Sequence, residues 1–272
     1  MDEPKKDKQN AAHDEEEELV SMSLGDHLDE LRYRLVRAVG GLTLAVVVCL
    51  FFGKYFFELL MSPYDWAMNQ AGLKPQMFAL KPMEQFLVYI KICMVAGLVF
   101  SSGWVFYQLW AFVSAGLYRH ERRWIKLAAP ASASLFVIGS LFFLLVAAKG
   151  MMLFCVRFNI GVQYVQPGVY MLSDYISLLL MLTLVFGLTF QMPIAIIFAE
   201  LMGLITIQQL SSFRRFAILA IVIVAAIVTP SPDVFSQLAL AIPMYLLYES
   251  SIIACRIIRK RADRKKAAES AD

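Results

Sequence analysis

The chain has 272 residues, 59% of them hydrophobic and 17% charged, with a mean hydropathy of +0.62, far from the roughly 45–50% apolar and 25% charged usage of soluble domains. An ordinary globular fold is excluded, and a formal net charge of +3 gives nucleic acid little support as a partner. Cys49, Cys93, Cys155 and Cys255 are scattered, lack any C-x-x-C spacing and mostly sit in apolar runs, so they read as small hydrophobes rather than a disulfide or a metal site.

Residues 1–20 are polar and carry both signs of charge, which predicts a disordered tail. They hold no isolated apolar stretch followed by a small-residue cleavage site, so a removable signal peptide is not expected. From Met22 the pattern changes. Leu24, Leu28, Leu31 and Leu35 recur on one helical face, and Ser23 with Asp26 resembles a helix N-cap. An interfacial helix over about 22–37, running into a first membrane span, fits this pattern.

Six stretches free of Asp, Glu, Lys and Arg follow, at 38–53, 92–118, 127–148, 175–199, 216–232 and 234–248. A bilayer takes about 20 mostly apolar residues per spanning helix, so the expected fold is all-α and polytopic, with six transmembrane helices over 21–255. Two long outer loops are predicted at about 58–85 and 149–174. Pro63, Gly72, Pro75 and Pro82 should break the first of these into short turns and helices. Pro193 lies deep in the fourth span and should kink it. The last two uncharged runs, of 17 and 15 residues, reach only about 25 and 22 Å against a hydrocarbon core of about 30 Å. Either their ends snorkel and are shielded by neighbours, or the bilayer thins around them. Residues 256–272 read as a basic tail, an orientation signal that can also hold anionic lipid.

Nineteen of the 25 Lys and Arg flank the ends of the spans on one side: before the first, between the second and third, between the fourth and fifth, and after the sixth. The positive-inside rule then puts both termini and the short loops in the cytoplasm.

Catalytic parts are missing from the sequence. It holds no phosphate-binding P-loop, no H-E-x-x-H and no G-x-S-x-G, and His13, His27 and His120 all lie in polar segments. No catalytic residue, cofactor or metal is expected. Two basic clusters each enclose a carboxylate, Asp29-Glu30-Leu31-Arg32-Tyr33-Arg34 and Arg119-His120-Glu121-Arg122-Arg123. Such a carboxylate can accept a planar guanidinium from a partner peptide, or it can pair locally with Arg34 or Arg123. Gln191, beside the proline kink, can tie two helices together or dock a partner helix. Asp233 reads as a cap for the last span, while solvation suffices for Glu200 and Glu249.

The run His27-Leu28-Asp29-Glu30-Leu31-Arg32-Tyr33-Arg34-Leu35 resembles a signature of the TatC family, the multispanning subunit of the twin-arginine protein translocase. Tyr107 to Phe112 leading to Leu117 to Arg123, Phe186 to Pro193, and Thr229 to Gln237 with Ala241 to Tyr245 resemble further family motifs in the same order, over about 23–255. The resemblance implies a six-helix, cup-shaped bundle with both termini inside, in the bacterial inner membrane. It implies recognition of paired arginines in the signal peptides of folded cargo, driven onward by the proton-motive force. By resemblance Glu30 and Glu121 read that pair, with Arg32 and Phe112 nearby. Pro63 and Asp233 match positions of family importance, and with Gln191 they are assigned to partner-helix contact and assembly. Gln191 stands where many members carry Glu, and Ala115 where proline is usual. Implied partners are TatA-type and TatB-type single-span subunits, membrane lipid and further copies within the complex. The runner-up reading is a small-solute secondary transporter, and a membrane enzyme comes third.

Overall fold

The computed structural model describes residues 24–115, 122–160, 167–228 and 234–269. Helix α1 runs unbroken from Leu24 to Gln70, so the interfacial segment and the first span form one rod. In the apolar stripe of the N-terminal turns, Leu28, Leu31 and Leu35 stay exposed among the described residues. That is the expected state of a face meant for lipid.

The rod also continues through residues 58–70, where turns were expected. Pro63 lies inside it and lacks the amide that would bond the carbonyl of Leu59. The ring of Pro63 is fully buried, and the next carbonyl, that of Leu60, accepts a 2.8 Å hydrogen bond from the Tyr175 hydroxyl, so the helix runs on through a packed environment. The reversal comes at Gly72, with φ of 71°, where the Leu73 amide reaches back to the Met68 carbonyl at 3.0 Å, a left-handed glycine helix stop.

An all-helical reading also needs a small correction here. Strand β1, Gln76–Phe78, pairs in parallel with β2, Val169–Met171, in the register Gln76 to Val169. The hydroxyl of Tyr64 accepts from the Gln76 amide at 2.8 Å and lies 2.7 and 2.8 Å from the carbonyls of Gln76 and Gly168. Burial, with Cys155 close by, pushes the Tyr170 phenol up to about 12. The buried carboxylate of Glu84 accepts from the amides of Leu80, Lys81 and Ser173 at 2.7, 3.2 and 3.0 Å. One carboxylate thereby ties the first outer connection to the start of a later helix.

Helix α2, Glu84–Ala115, packs along α1. The contact repeats one device. The Trp104 indole donates to the Arg37 carbonyl at 2.9 Å beside Gly41, and the Tyr89 hydroxyl donates to the Leu50 carbonyl beside Gly53. Each glycine leaves the space the ring occupies. Helix α3, Arg122–Phe142, passes through a π-helical turn, Phe143–Ala147, into α4, Ala148–Ile160. The third span therefore extends well into the predicted second outer loop.

Helix α5, Leu172–Thr189, breaks at Phe190 and Gln191, and α6, Met192–Leu201, restarts with Pro193 in its first turn. The bend anticipated from Pro193 is a two-residue turn in which Phe190 and Gln191 keep right-handed helical dihedrals, with proline placed at the restart, where it suits a helix. Helix α7, Ile207–Ser212, opens on a capping box between Thr206 and Gln209. Helix α8, Arg214–Val228, has 15 residues, while α9, Val234–Glu269, has 36. The basic tail thus continues the last span as helix up to Glu269. Among the described residues five helical stretches are long and apolar enough to cross a membrane: Leu28–Gln70, Glu84–Ser114, Leu127–Ile160, Leu172–Leu201 and Leu240–Lys260. Helix α8 falls short of that length. The chain is a predominantly helical, multi-pass membrane protein whose core, from Leu60 and Tyr64 through Phe143, Ile176 and Phe186 to Ile252, lies between these rods.

Candidate functional site

Helix α1 positions the first basic cluster. Glu30 and Arg34 are one turn apart and pair at 2.5 Å, with side-chain exposures of 27% and 23%. The Arg34 Nε is buried without a hydrogen-bond partner among the described residues. Arg32, two residues from Glu30 and so on another face, is exposed. The guanidinium of Arg37 lies 4.2 Å from the centroid of the Tyr33 ring.

The Trp104 to Arg37 bond fixes the register of the antiparallel pair α1 and α2. Eight residues beyond Trp104 is Phe112, and seven before Arg37 is Glu30, so the two stand level to within about 2 Å along the helix axes. Phe112 is half-buried there. Glu30, Arg32 and Phe112 therefore share one end of the bundle, the end at which α2 leads into residues 116–121. Glu121 and Asp233 lie outside the described residues.

Gln191 and Pro63 belong elsewhere. The Gln191 side-chain amide donates to the Ser132 carbonyl at 3.0 Å, and the Ser132 hydroxyl accepts from the Trp110 indole at 2.8 Å. Trp110 in turn meets Phe198 edge-on at 4.9 Å. The break in the fourth span is thus pinned to α2 and α3 through one serine, with Gln191 as interhelical donor. Pro63 sits toward the opposite end of α1, next to Tyr64, whose hydroxyl bonds the β pair.

The sequence reading missed a polar cluster between α8 and α9. Arg214 Nη2 donates to Glu249 Oε2 at 2.9 Å, its Nε lies 2.9 Å from Oε1 as an ion-pair contact without hydrogen-bond geometry, and the Tyr245 hydroxyl donates to Oε1 at 3.1 Å. Glu249 is therefore a carboxylate paired across two helices and not merely a solvated one. Its only local signal was Tyr245 four residues earlier; Arg214 is 35 residues away. Among the described residues no three His, Cys, Asp or Glu side chains are grouped to hold a metal.

The chain as a whole is similar to known proteins. The family model described as Sec-independent protein translocase protein (TatC) matches residues 26–243. A Sec-independent protein translocase protein TatC of Aquifex aeolicus is 34% identical over 250 residues, covering 90% of this chain and 100% of the relative. The Helicobacter pylori strain 26695 protein of that name is 34% identical over 235 residues, covering 86% and 88%. A crystal structure of the twin arginine translocase receptor TatC superposes with a TM-score of 0.70 at 32% identity, covering 85% of this chain and 98% of that one. The chain belongs to the TatC family, as a non-enzymatic, membrane-spanning component of the Sec-independent protein translocase.

Proposed function

We propose that the chain is the signal-peptide receptor of a twin-arginine translocase in the bacterial inner membrane, and that Glu30 and Glu121 take the two guanidinium groups of the peptide. The observation that carries this is the state of Glu30. It is partly exposed, level with Phe112, and among the described residues held by a single arginine of its own helix. An i,i+4 pair of this kind contributes only about 0.3–0.5 kcal/mol. A visiting arginine exchanges with Arg34 at little cost, whereas a carboxylate paired across two helices, as Glu249 is, has more to lose.

Six spans with both termini in the cytoplasm put this end at the inner leaflet, where cargo arrives. Arg32 and Phe112 flank the peptide there. Gln191, Pro63 and Asp233 serve assembly with TatA-type and TatB-type single-span subunits and further copies of the chain, powered by the proton-motive force.

Photo-crosslinking in intact membranes tests the reading. A probe at position 121 captures a peptide bearing Arg-Arg and captures the Lys-Lys version much less. Equal capture of both peptides contradicts the assignment, since ammonium groups cannot form the fork.

A further inference from the structure

We propose that the membrane-facing groove between α1 and α2 binds one anionic phospholipid, with an acyl chain along the groove and the phosphate on Arg37. The groove encloses about 970 Å³ and begins at Arg37. Its floor is open because Gly40 has nothing within 4 Å of where a Cβ would stand. Leu44 and Val48 of α1 form one bank, Phe100 and Trp104 of α2 the other.

The polar groups at the groove restrict its occupant. The Trp104 indole already donates to the Arg37 carbonyl, and the Ser101 hydroxyl bonds its own helix at Leu98. What is left for a ligand is apolar surface, one cation at the Arg37 end and the Tyr55 hydroxyl at the far end. Arg34 is neutralised by Glu30, but among the described residues no carboxylate lies within 4 Å of Arg37, whose guanidinium rests on the Tyr33 ring. An unneutralised guanidinium heading an apolar trough is complementary to an amphiphile with an anion at one end.

The groove is long enough for one acyl chain at its Arg37 end. Its lining runs on past Val48 to Phe56, about 28 Å of helix, whereas half of a hydrocarbon core of about 30 Å is about 15 Å, or about ten helical residues. A chain of one leaflet therefore covers the Arg37 half of the groove while its phosphate reaches the guanidinium. An apolar helix would fill the trough but bring no anion to Arg37.

The test uses the purified full chain in detergent, titrated with phosphatidylglycerol or phosphatidylcholine of identical acyl chains, with retained lipid counted by native mass spectrometry. The wild type retains one phosphatidylglycerol in preference to phosphatidylcholine. Arg37→Gln lowers that preference about fivefold, the factor expected for one cation near an anionic surface. Gly40→Leu, which fills the floor, lowers retention of both lipids, and glycerophosphoglycerol without acyl chains displaces neither. The proposal is overturned if Arg37→Gln leaves the preference unchanged, or if Gly40→Leu leaves retention unchanged. Displacement by the chain-free headgroup, or a polypeptide crosslinked from position 44 in place of lipid, overturns it as well.

Discussion

At the residue scale, two carboxylates show how partner geometry sets a side chain's role. Glu249 holds Arg214 across two helices and also accepts from Tyr245. Because the pair is partly solvated, Glu249→Ala should cost about 1 kcal/mol, read as a fall of about 2–4 °C in melting temperature; an unchanged melting temperature would show that the pair contributes nothing. Among the described residues Glu30 pairs only with Arg34 on its own helix. If Arg34 competes with the signal peptide, Arg34→Gln should raise peptide affinity about twofold, the factor corresponding to an i,i+4 pair. A loss of affinity instead would mean that Arg34 orients the carboxylate rather than competing for it.

At the scale of elements, glycine sets how closely the rods approach. A Cβ on Gly139 would stand 2.8 Å from the Phe186 carbonyl and 2.7 Å from the Phe190 ring, whereas one on Gly103 would meet only Ala133 at 3.9 Å. A backbone carbonyl cannot swing aside, so Gly139→Ala should destabilise by about 1–3 kcal/mol. Gly103→Ala should be neutral or stabilising by up to about 1 kcal/mol. Thermal unfolding of the two variants in one detergent checks this, and equal melting temperatures would contradict the packing argument. Much at this scale was legible from composition. Charge-free runs located the long rods, and Pro193 located the break between α5 and α6. Pro63 misled, because whether a proline ends a helix depends on what packs around it, and Tyr175, which bonds the adjacent Leu60 carbonyl, lies 115 residues from it. The β1 and β2 pairing and the Arg214 to Glu249 pair were hidden for the same reason: their partners meet only in the folded chain.

At the scale of the whole molecule, the rods differ in length. Helix α8 spans about 22 Å, well under a hydrocarbon core of about 30 Å, while α9 carries its basic residues onward as helix. If the bilayer adapts to the short helix, nanodisc density should be thinner beside α8 than beside α2; uniform thickness would favour shielding of its ends by neighbours. The end bearing Glu30 and Phe112 lies far along α1 from the outer β pair, so peptide capture and the outer cap are separable. The proposed capture is a property of one end of the bundle, and it depends on two carboxylates being available to a visitor.

The most direct measurement is equilibrium binding of Arg-Arg and Lys-Lys signal peptides to the full chain in nanodiscs, for the wild type, Glu30→Gln, Glu121→Gln and the double variant. Hydrogen bonds to a charged group contribute about 1.5–3 kcal/mol. The wild type should therefore prefer Arg-Arg by at least tenfold, each single variant should lose most of that preference, and the double variant should show none. A preference that persists undiminished in the double variant would mean that other groups read the arginine pair.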